Sequence, residues 1–367
     1  MRGNTSRSTT RRGRAALSTA VAVCAVTAVL PGAASAEPTA AGHRGAGVER
    51  ISVATDGAQA DDNSAGASIT PDGRHVVFSS SASNLTTDGP PGGDRVYVRD
   101  QRTGQAKRMG SYAPLQPPVI SGNGGYVAYP LQWMSGVRIR QYQVSTGATA
   151  SANCSAHSCN QPSLTADGRS LALAVLFRPP ATGQRIEVQD WDGTQKTVAD
   201  LTHTRPSLPS ISGNGRYVAY QDGMAGDVFV WDRTTGTTSA PIEGPSAGAT
   251  LVQLSDDGSK VVYRSGADTY VHDLGSGTAQ LVPNVRGVAI DPTGRYLLYA
   301  PHGTGGPSLT LRDLLTGTDE IVANQPASAG VDAVSAGGRD VVFQSTADDI
   351  VPGDTNAKSD VFVRHFF

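Results

Sequence analysis

Lysine, cysteine, long apolar runs and clustered basic charge are all scarce in this sequence. Past residue 14 there is no Lys/Arg-rich run. A chain that grips nucleic acid needs a basic footprint, because phosphate contacts dominate its affinity. That class of partner is therefore excluded. Only 17% of positions are charged and 38% hydrophobic, while 43 Gly and 22 Pro exceed the usual share of turn formers. So many turn formers argue against a helical bundle, and the apolar content argues against a disordered chain.

The one apolar run, Ala15 to Leu30, spans 16 residues, short of the roughly 20 that a membrane-crossing helix needs. Before it stand Arg2, Arg7, Arg11, Arg12 and Arg14 with no acid, and after it Pro31-Gly32-Ala33-Ala34-Ser35-Ala36. Basic, apolar and small-residue stretches in that order make a secretory signal. Residues 1–36 are read as that signal, with cleavage between Ala36 and Glu37. Arg11-Arg12 suggests the twin-arginine route, but Arg14 stands where such a signal has an apolar residue. Residues 37–47 are expected to be a flexible segment ahead of a domain at 48–367, placing the product outside the cytoplasm, secreted or periplasmic. Loss of the five signal arginines leaves 25 bases against 32 acids, a net charge near −7.

Of the three cysteines, Cys24 lies inside the apolar run with more apolar sequence behind it, unlike a lipoprotein cleavage site. Cys154 and Cys159, in Cys-Ser-Ala-His-Ser-Cys, form an even pair in an exported chain and read as a disulfide. Free thiols are one alternative. Zinc, prompted by His157 between them, is the other, but a structural zinc site takes four ligands and no second cluster is at hand.

A repeat runs through the rest. Ser68-Ile69-Thr70-Pro71-Asp72-Gly73-Arg74-His75-Val76-Val77-Phe78 returns as Val119-Ile120-Ser121-Gly122-Asn123-Gly124-Gly125-Tyr126-Val127-Ala128-Tyr129. Further copies centre on Gly168, Gly215, Gly258, Gly294 and Gly338, making seven in all. Each copy has a second half such as Val96-Tyr97-Val98-Arg99-Asp100 with Thr103-Gly104, or Asp227-Val228-Phe229-Val230-Trp231-Asp232 with Thr235-Gly236. The unit is strand, Asx-Gly turn, strand, loop, strand, Thr-Gly turn, strand. Asx-Gly pairs accept the positive φ of tight hairpins, and runs such as Val-Val-Phe suit strands covered on both faces. Four-stranded units of about 45 residues packed radially make a β-propeller. The expected fold is all-β, a single seven-bladed propeller. Val48–Val53 is its N-terminal outer strand and completes a last blade that otherwise stops at Asp360–Arg364.

Pro71-Asp72-Gly73-Arg74 before Val76-Val77-Phe78-Ser79, with Val96–Asp100 later, resembles the TolB-type, WD-repeat-like propellers of bacteria. The resemblance spans roughly residues 48–367. It implies a propeller that can act as a non-catalytic partner of other proteins. Trp191-Asp192 and Trp231-Asp232 resemble the WD dipeptide, though the Gly-His of true WD repeats is missing.

Chemical motifs are sparse. Gly244-Pro245-Ser246-Ala247-Gly248 matches a nucleophile elbow by letter, yet an elbow needs a strand before it and a helix after it. The seven histidines form no paired motif. Asp354, Asn356 and Asp360 offer three oxygen ligands for calcium, where Asx-turn capping explains the same residues; a calcium loop wants more ligands. No metal, cofactor or catalytic residue is assigned.

Loop lengths vary on the ring face that carries the second-to-third-strand and blade-to-blade connections, which marks the binding face. Tyr112, Trp133, Met134, Arg178 and His302 are placed there as binding residues, because aromatics and Arg anchor interfaces. The sequence therefore favours a monomeric, exported, non-catalytic propeller that binds a protein partner or ligand. The competing class is a hydrolase or lyase working in the central channel. Against it stand inner strands such as Ala67-Ser68-Ile69 and Pro209-Ser210-Ile211, which hold no acid or base.

Overall fold

The computed structural model describes residues 46–367 except 88–92, 135, 155–156, 180–182, 200–204, 225, 247 and 304–305. The expected signal at 1–36, the expected cleavage between Ala36 and Glu37, and residues 37–45 lie outside the described residues.

Each repeat folds locally for a reason visible in its turn. Thr70 Oγ1 donates to Asp72 Oδ1 at 2.5 Å, the Asp72 carboxylate accepts the Arg74 amide at 2.9 Å, and Thr70 Oγ1 accepts the His75 amide at 3.0 Å. Ser121 with Asn123, Thr165 with Asp167, Ser212 with Asn214 and Ser255 with Asp257 repeat the pattern. Gly73 closes the first of these turns at φ +73°, and a Cβ there would also run into the Asp340 carboxylate of the neighbouring unit. The repeated glycine thus serves both the left-handed turn and the close approach of the next unit.

Seven four-stranded antiparallel sheets follow. Blade one, from the channel outward, is Ser64–Ile69, His75–Ser80, Arg95–Asp100 and Gln105–Met109. Blade two is Val119–Ile120, Tyr126–Trp133, Gly136–Gln143 and Thr149–Ser151. Blades three to six begin on Ser158–Leu164, Pro206–Ile211, Thr250–Leu254 and Val285–Ile290. The architecture is the expected seven-bladed β-propeller.

Blade seven is assembled from both ends of the domain, in the order Gly47–Arg50, Asp360–His365, Asp340–Ser345, Ala327–Ser328. Val48 pairs with Arg364 and Arg50 with Phe362. The closing strand is thus one residue earlier at its start than expected and ends at Arg50; Ile51 still donates to the Val361 carbonyl at 2.7 Å, and Val53 turns away to bridge Gln59.

The core is not one cluster but layers between neighbouring blades. Val77, Val98, Val127 and Leu131 fill the space between blades one and two, and Val119, Ala128, Ile139 and Leu171 the next. The closing layer joins Ile51, Phe78, Leu298, Val342 and Val361. Within blades, stacked aromatic pairs recur on the second and third strands: Phe78–Tyr97 at 5.9 Å, Tyr220–Phe229 at 5.6 Å, Tyr263–Tyr270 at 5.2 Å and Phe343–Phe362 at 5.5 Å. That is why Val-Val-Phe and Val-Ala-Tyr recur, since cross-strand aromatic pairs stabilise a sheet.

Cys154 and Cys159 are joined, both buried, with Cα atoms 5.8 Å apart, where the outer strand of blade two leads into the inner strand of blade three. So short a loop constrains the unfolded chain by about 2 kcal/mol. The Cys154→Ser, Cys159→Ser double variant is therefore expected to fold, with its midpoint lowered by no more than that. Intact mass before and after alkylation checks the bond; two alkylatable thiols in the untreated protein would refute it.

Candidate binding face and channel

The inner strands carry the geometry that shapes the channel. Their register slips by a bulge between Ala65 and Ser68, Asn160 and Ser163, and Ser207 and Ser210. Gly66, Gln161 and Leu208 take φ of +63°, +53° and +53° at these bulges. A bulge turns a strand and re-aims its side chains. Glutamines then tie the bulges to neighbouring chain: the Gly66 amide donates to Gln344 Oε1 at 2.6 Å, Gln161 to Gln116 Oε1 at 2.9 Å, and Leu208 to Gln161 Oε1 at 2.9 Å. The result is a proline-rich mouth around a cavity of about 330 Å³.

The channel holds acids that the sequence reading missed. The inner strands of blades one to four indeed bring no acid or base. Blades five and seven bring Gln253, Asp256 and Asp332 into the passage. Gln253 Nε2 donates to Asp332 Oδ1 at 2.7 Å, while its Oε1 accepts the Ile290 amide at 3.1 Å. Burial pushes the Asp256 carboxyl up to about 7, with the Asp332 charge adding to it, and burial alone pushes Asp332 up to about 6. The expectation of a channel without acid or base groups is therefore corrected. Asp256 was hidden because Ser255-Asp256-Asp257-Gly258 reads as a turn. Asp332, at φ +56°, sits in an inner strand broken between Ser328 and Val334 and matches no other copy.

On the loop face, the stretch holding Trp133 and Met134 is not an open loop. Tyr126–Trp133 and Gly136–Gln143 form an extended hairpin in which Trp133 pairs with Gly136, leaving Met134 at the tip, 89% exposed. Tyr112 meets Trp133 edge-on at 5.5 Å, and the Arg140 guanidinium covers both rings, at 5.5 Å and 4.8 Å from their centroids. Arg178 comes from the next blade: its guanidinium fills the space beside Gly136 and reaches Ser158 Oγ at 3.5 Å. The fold thus gathers Tyr112, Trp133, Met134 and Arg178, and adds Arg140, which the sequence reading did not single out. His302 follows Tyr296–Pro301 in blade six, across the ring from that group, so the five do not form one site.

Asp354 and Asp360 are occupied by a cation of the chain itself. Arg50 from the closing strand lies 2.9 Å from Asp354 and 3.6 Å from Asp360, and Asn356 donates to Asp360 at 3.0 Å. This guanidinium stands where calcium was considered. His157 accepts the Arg178 amide at 3.2 Å and packs on Phe177, beside the disulfide. Pro245 and Ser246 lie in the connection from blade four to blade five, ahead of the strand Thr250–Leu254. Among the described residues no helix is long and apolar enough to cross a membrane, and no three His, Cys, Asp or Glu group as a metal site would.

No family model matches this chain, and neither does any curated protein. Solved structures do. An oligogalacturonate lyase in complex with manganese aligns at a TM-score of 0.64 with 14% identity, over 88% of this chain and 94% of that one. An oligogalacturonate lyase from Vibrio parahaemolyticus aligns at 0.64 with 11% identity, over 87% and 93%. TolB from Acinetobacter baumannii aligns at 0.47 with 16% identity, over 70% and 62%. With 1180 solved chains matching, likeness of this kind names an architecture shared across many functions, and function has to be argued from the site. What the chain shares with the two lyases is the β-propeller fold.

Proposed function

We propose that this is an exported binding propeller whose loop-bearing face docks a protein partner through the hairpin of blade two. The observation that carries the reading is the Tyr112–Trp133–Arg140 stack with Met134 projecting beyond it. Arg140 holds both rings in place before any partner arrives, so little side-chain freedom is lost on docking. Rigid aromatic anchors beside Arg are the usual composition of binding hot spots. Export is supported by the signal-like N-terminus and by the disulfide, which persists in oxidising compartments.

The test places a photo-crosslinking residue at Met134 in the producing cells and identifies captured proteins by mass spectrometry. One specific protein is expected. Its affinity should fall by roughly 10- to 100-fold in Trp133→Ala, with the propeller still melting as one cooperative unit. Equal capture by Trp133→Ala would overturn the reading.

A second reading has its own observation. Asp256 and Asp332 have carboxyls shifted toward neutrality within one channel, a feature that clusters at catalytic sites. A hydrolase or lyase acting there would be an enzyme class in line with the lyases that share this fold. Activity on oligosaccharides or lactones that disappears in Asp256→Asn, but survives Trp133→Ala, would favour it.

A further inference from the structure

Two lobes of one hollow meet at the channel mouth. The inner lobe, about 330 Å³, is walled by Pro117, Pro118, Pro162, Leu208, Pro209 and Val331. The outer lobe, about 350 Å³, shares Gly66, Gln116, Pro117 and Gly330 with it and runs past Leu115 toward Asp94. Volumes of this order match small-molecule sites, which are concave and mostly apolar with a few placed polar groups. Among the described residues no Lys, Arg or His lines either lobe, and the charged lining is Asp332 inside and Asp94 outside.

The Asp332 carboxylate is tied to blade five through one of its oxygens. Its Oδ1 accepts from Gln253, which is itself fixed by the Ile290 amide, and Oδ2 has no hydrogen-bond partner among the described residues. Asp256, in the narrow passage beyond, adds a second carboxylate with no side-chain hydrogen bond among the described residues. Both side chains are half-buried, and a carboxylate partly withdrawn from water gains from a cation placed against it.

We propose that the channel mouth binds a small ligand bearing an organic ammonium group on an apolar body, the ammonium against Asp332 and the body against the proline wall. A carboxylate or phosphate ligand would meet only like charge there. A neutral ligand would desolvate Asp332 without compensating it. A divalent metal asks for several oxygen ligands, whereas one Asp332 oxygen is already engaged by an amide. Prolines lose no side-chain freedom on contact, so the wall is preformed. The net acidity of the mature chain favours the approach of cations. This site is separate from the blade-two hairpin and stands or falls independently of the partner-docking reading.

Calorimetry of the full exported protein tests it with four probes: hexylamine, hexanol, hexanoate and calcium chloride. At pH 8 hexylamine should bind on the order of tenfold more tightly than hexanol, and hexanoate more weakly than either. Burial raises both channel carboxyls toward neutrality, so at pH 5 they are protonated and the preference for hexylamine should vanish. Asp332→Asn should remove it at pH 8 while leaving hexanol unaffected; Asn tolerates the left-handed backbone at this position. If that variant fails to melt cooperatively, the pH comparison on the parent protein gives the same reading. Equal binding of hexylamine and hexanol at pH 8, tighter binding of hexanoate, a preference that survives at pH 5 or in Asp332→Asn, or calcium that blocks hexylamine would each overturn the proposal.

Discussion

Deleting residues 46–53 is expected to abolish cooperative unfolding of the propeller rather than merely lower its midpoint. The closing strand supplies four in-register partners for Asp360–His365 and carries Ile51, which is fully buried in the layer joining the last blades to the first. Losing one such side chain costs about 2–3 kcal/mol. The deletion also removes Arg50, leaving Asp354 and Asp360 facing each other; Asp360 is fully buried. Breaking a buried ion pair from one side costs about 3–5 kcal/mol. Ser52, whose hydroxyl donates to Asp360 at 2.5 Å and accepts the Val361 amide at 3.0 Å, goes as well. Together these losses rival the roughly 5–15 kcal/mol that holds a typical protein folded. Differential scanning calorimetry decides the matter: a single sharp transition at the parent temperature would show that the ring does not depend on this strand. Arg50→Met serves as the milder companion, expected to melt lower but still cooperatively.

The second large effect concerns the channel acids and pH. Asp256, with its folded value near 7, and Asp332, near 6, start from an ordinary 3.8. Between about pH 4 and pH 7 the folded protein therefore holds protons that the unfolded chain has released. Stability contributed by these groups is full below 4 and is lost as pH rises toward 7. His75 and His272, whose values burial lowers, act in the opposite direction over part of that window. The informative quantity is thus the difference between parent and variant. Asp256→Asn should leave the midpoint nearly unchanged at pH 4 and raise it at pH 8. A shift of about three units sets a ceiling near 4 kcal/mol; with solvent in the channel screening the charge, a gain of about 1–2 kcal/mol is expected. A variant that tracks the parent at every pH from 4 to 8 would show that Asp256 is not held in a protonated form.

Most of the architecture was legible because its causes are local and repeated. Thr70, Asp72 and Gly73 make a turn by bonds within six residues, and seven copies of such a turn count the blades directly. The closing strand was legible for a related reason: a blade with three strands at one end and an unpartnered Val48–Val53 at the other leave one way to complete the ring. The disulfide followed from two neighbouring cysteines.

Tertiary structure alone decided the rest. A side chain's position on the ring depends on blade order, so His302 and Trp133 look alike as loop residues but lie on opposite sides. The Tyr112–Trp133–Arg140 stack joins the connection after blade one to two strands of blade two, a contact no linear spacing encodes. Asp256 reads as one more turn aspartate, and only convergence of inner strands from separate blades places it near Asp332 and Gln253. Asp354 and Asp360 look like open ligands until Arg50, more than 300 residues earlier, folds back between them. Hydrogen bonds inside a turn are fixed by a few residues in a row, and the sequence displays them. Burial, charge pairing and pKa are set by whatever arrives from elsewhere in the chain, and only the closed ring brings those groups together.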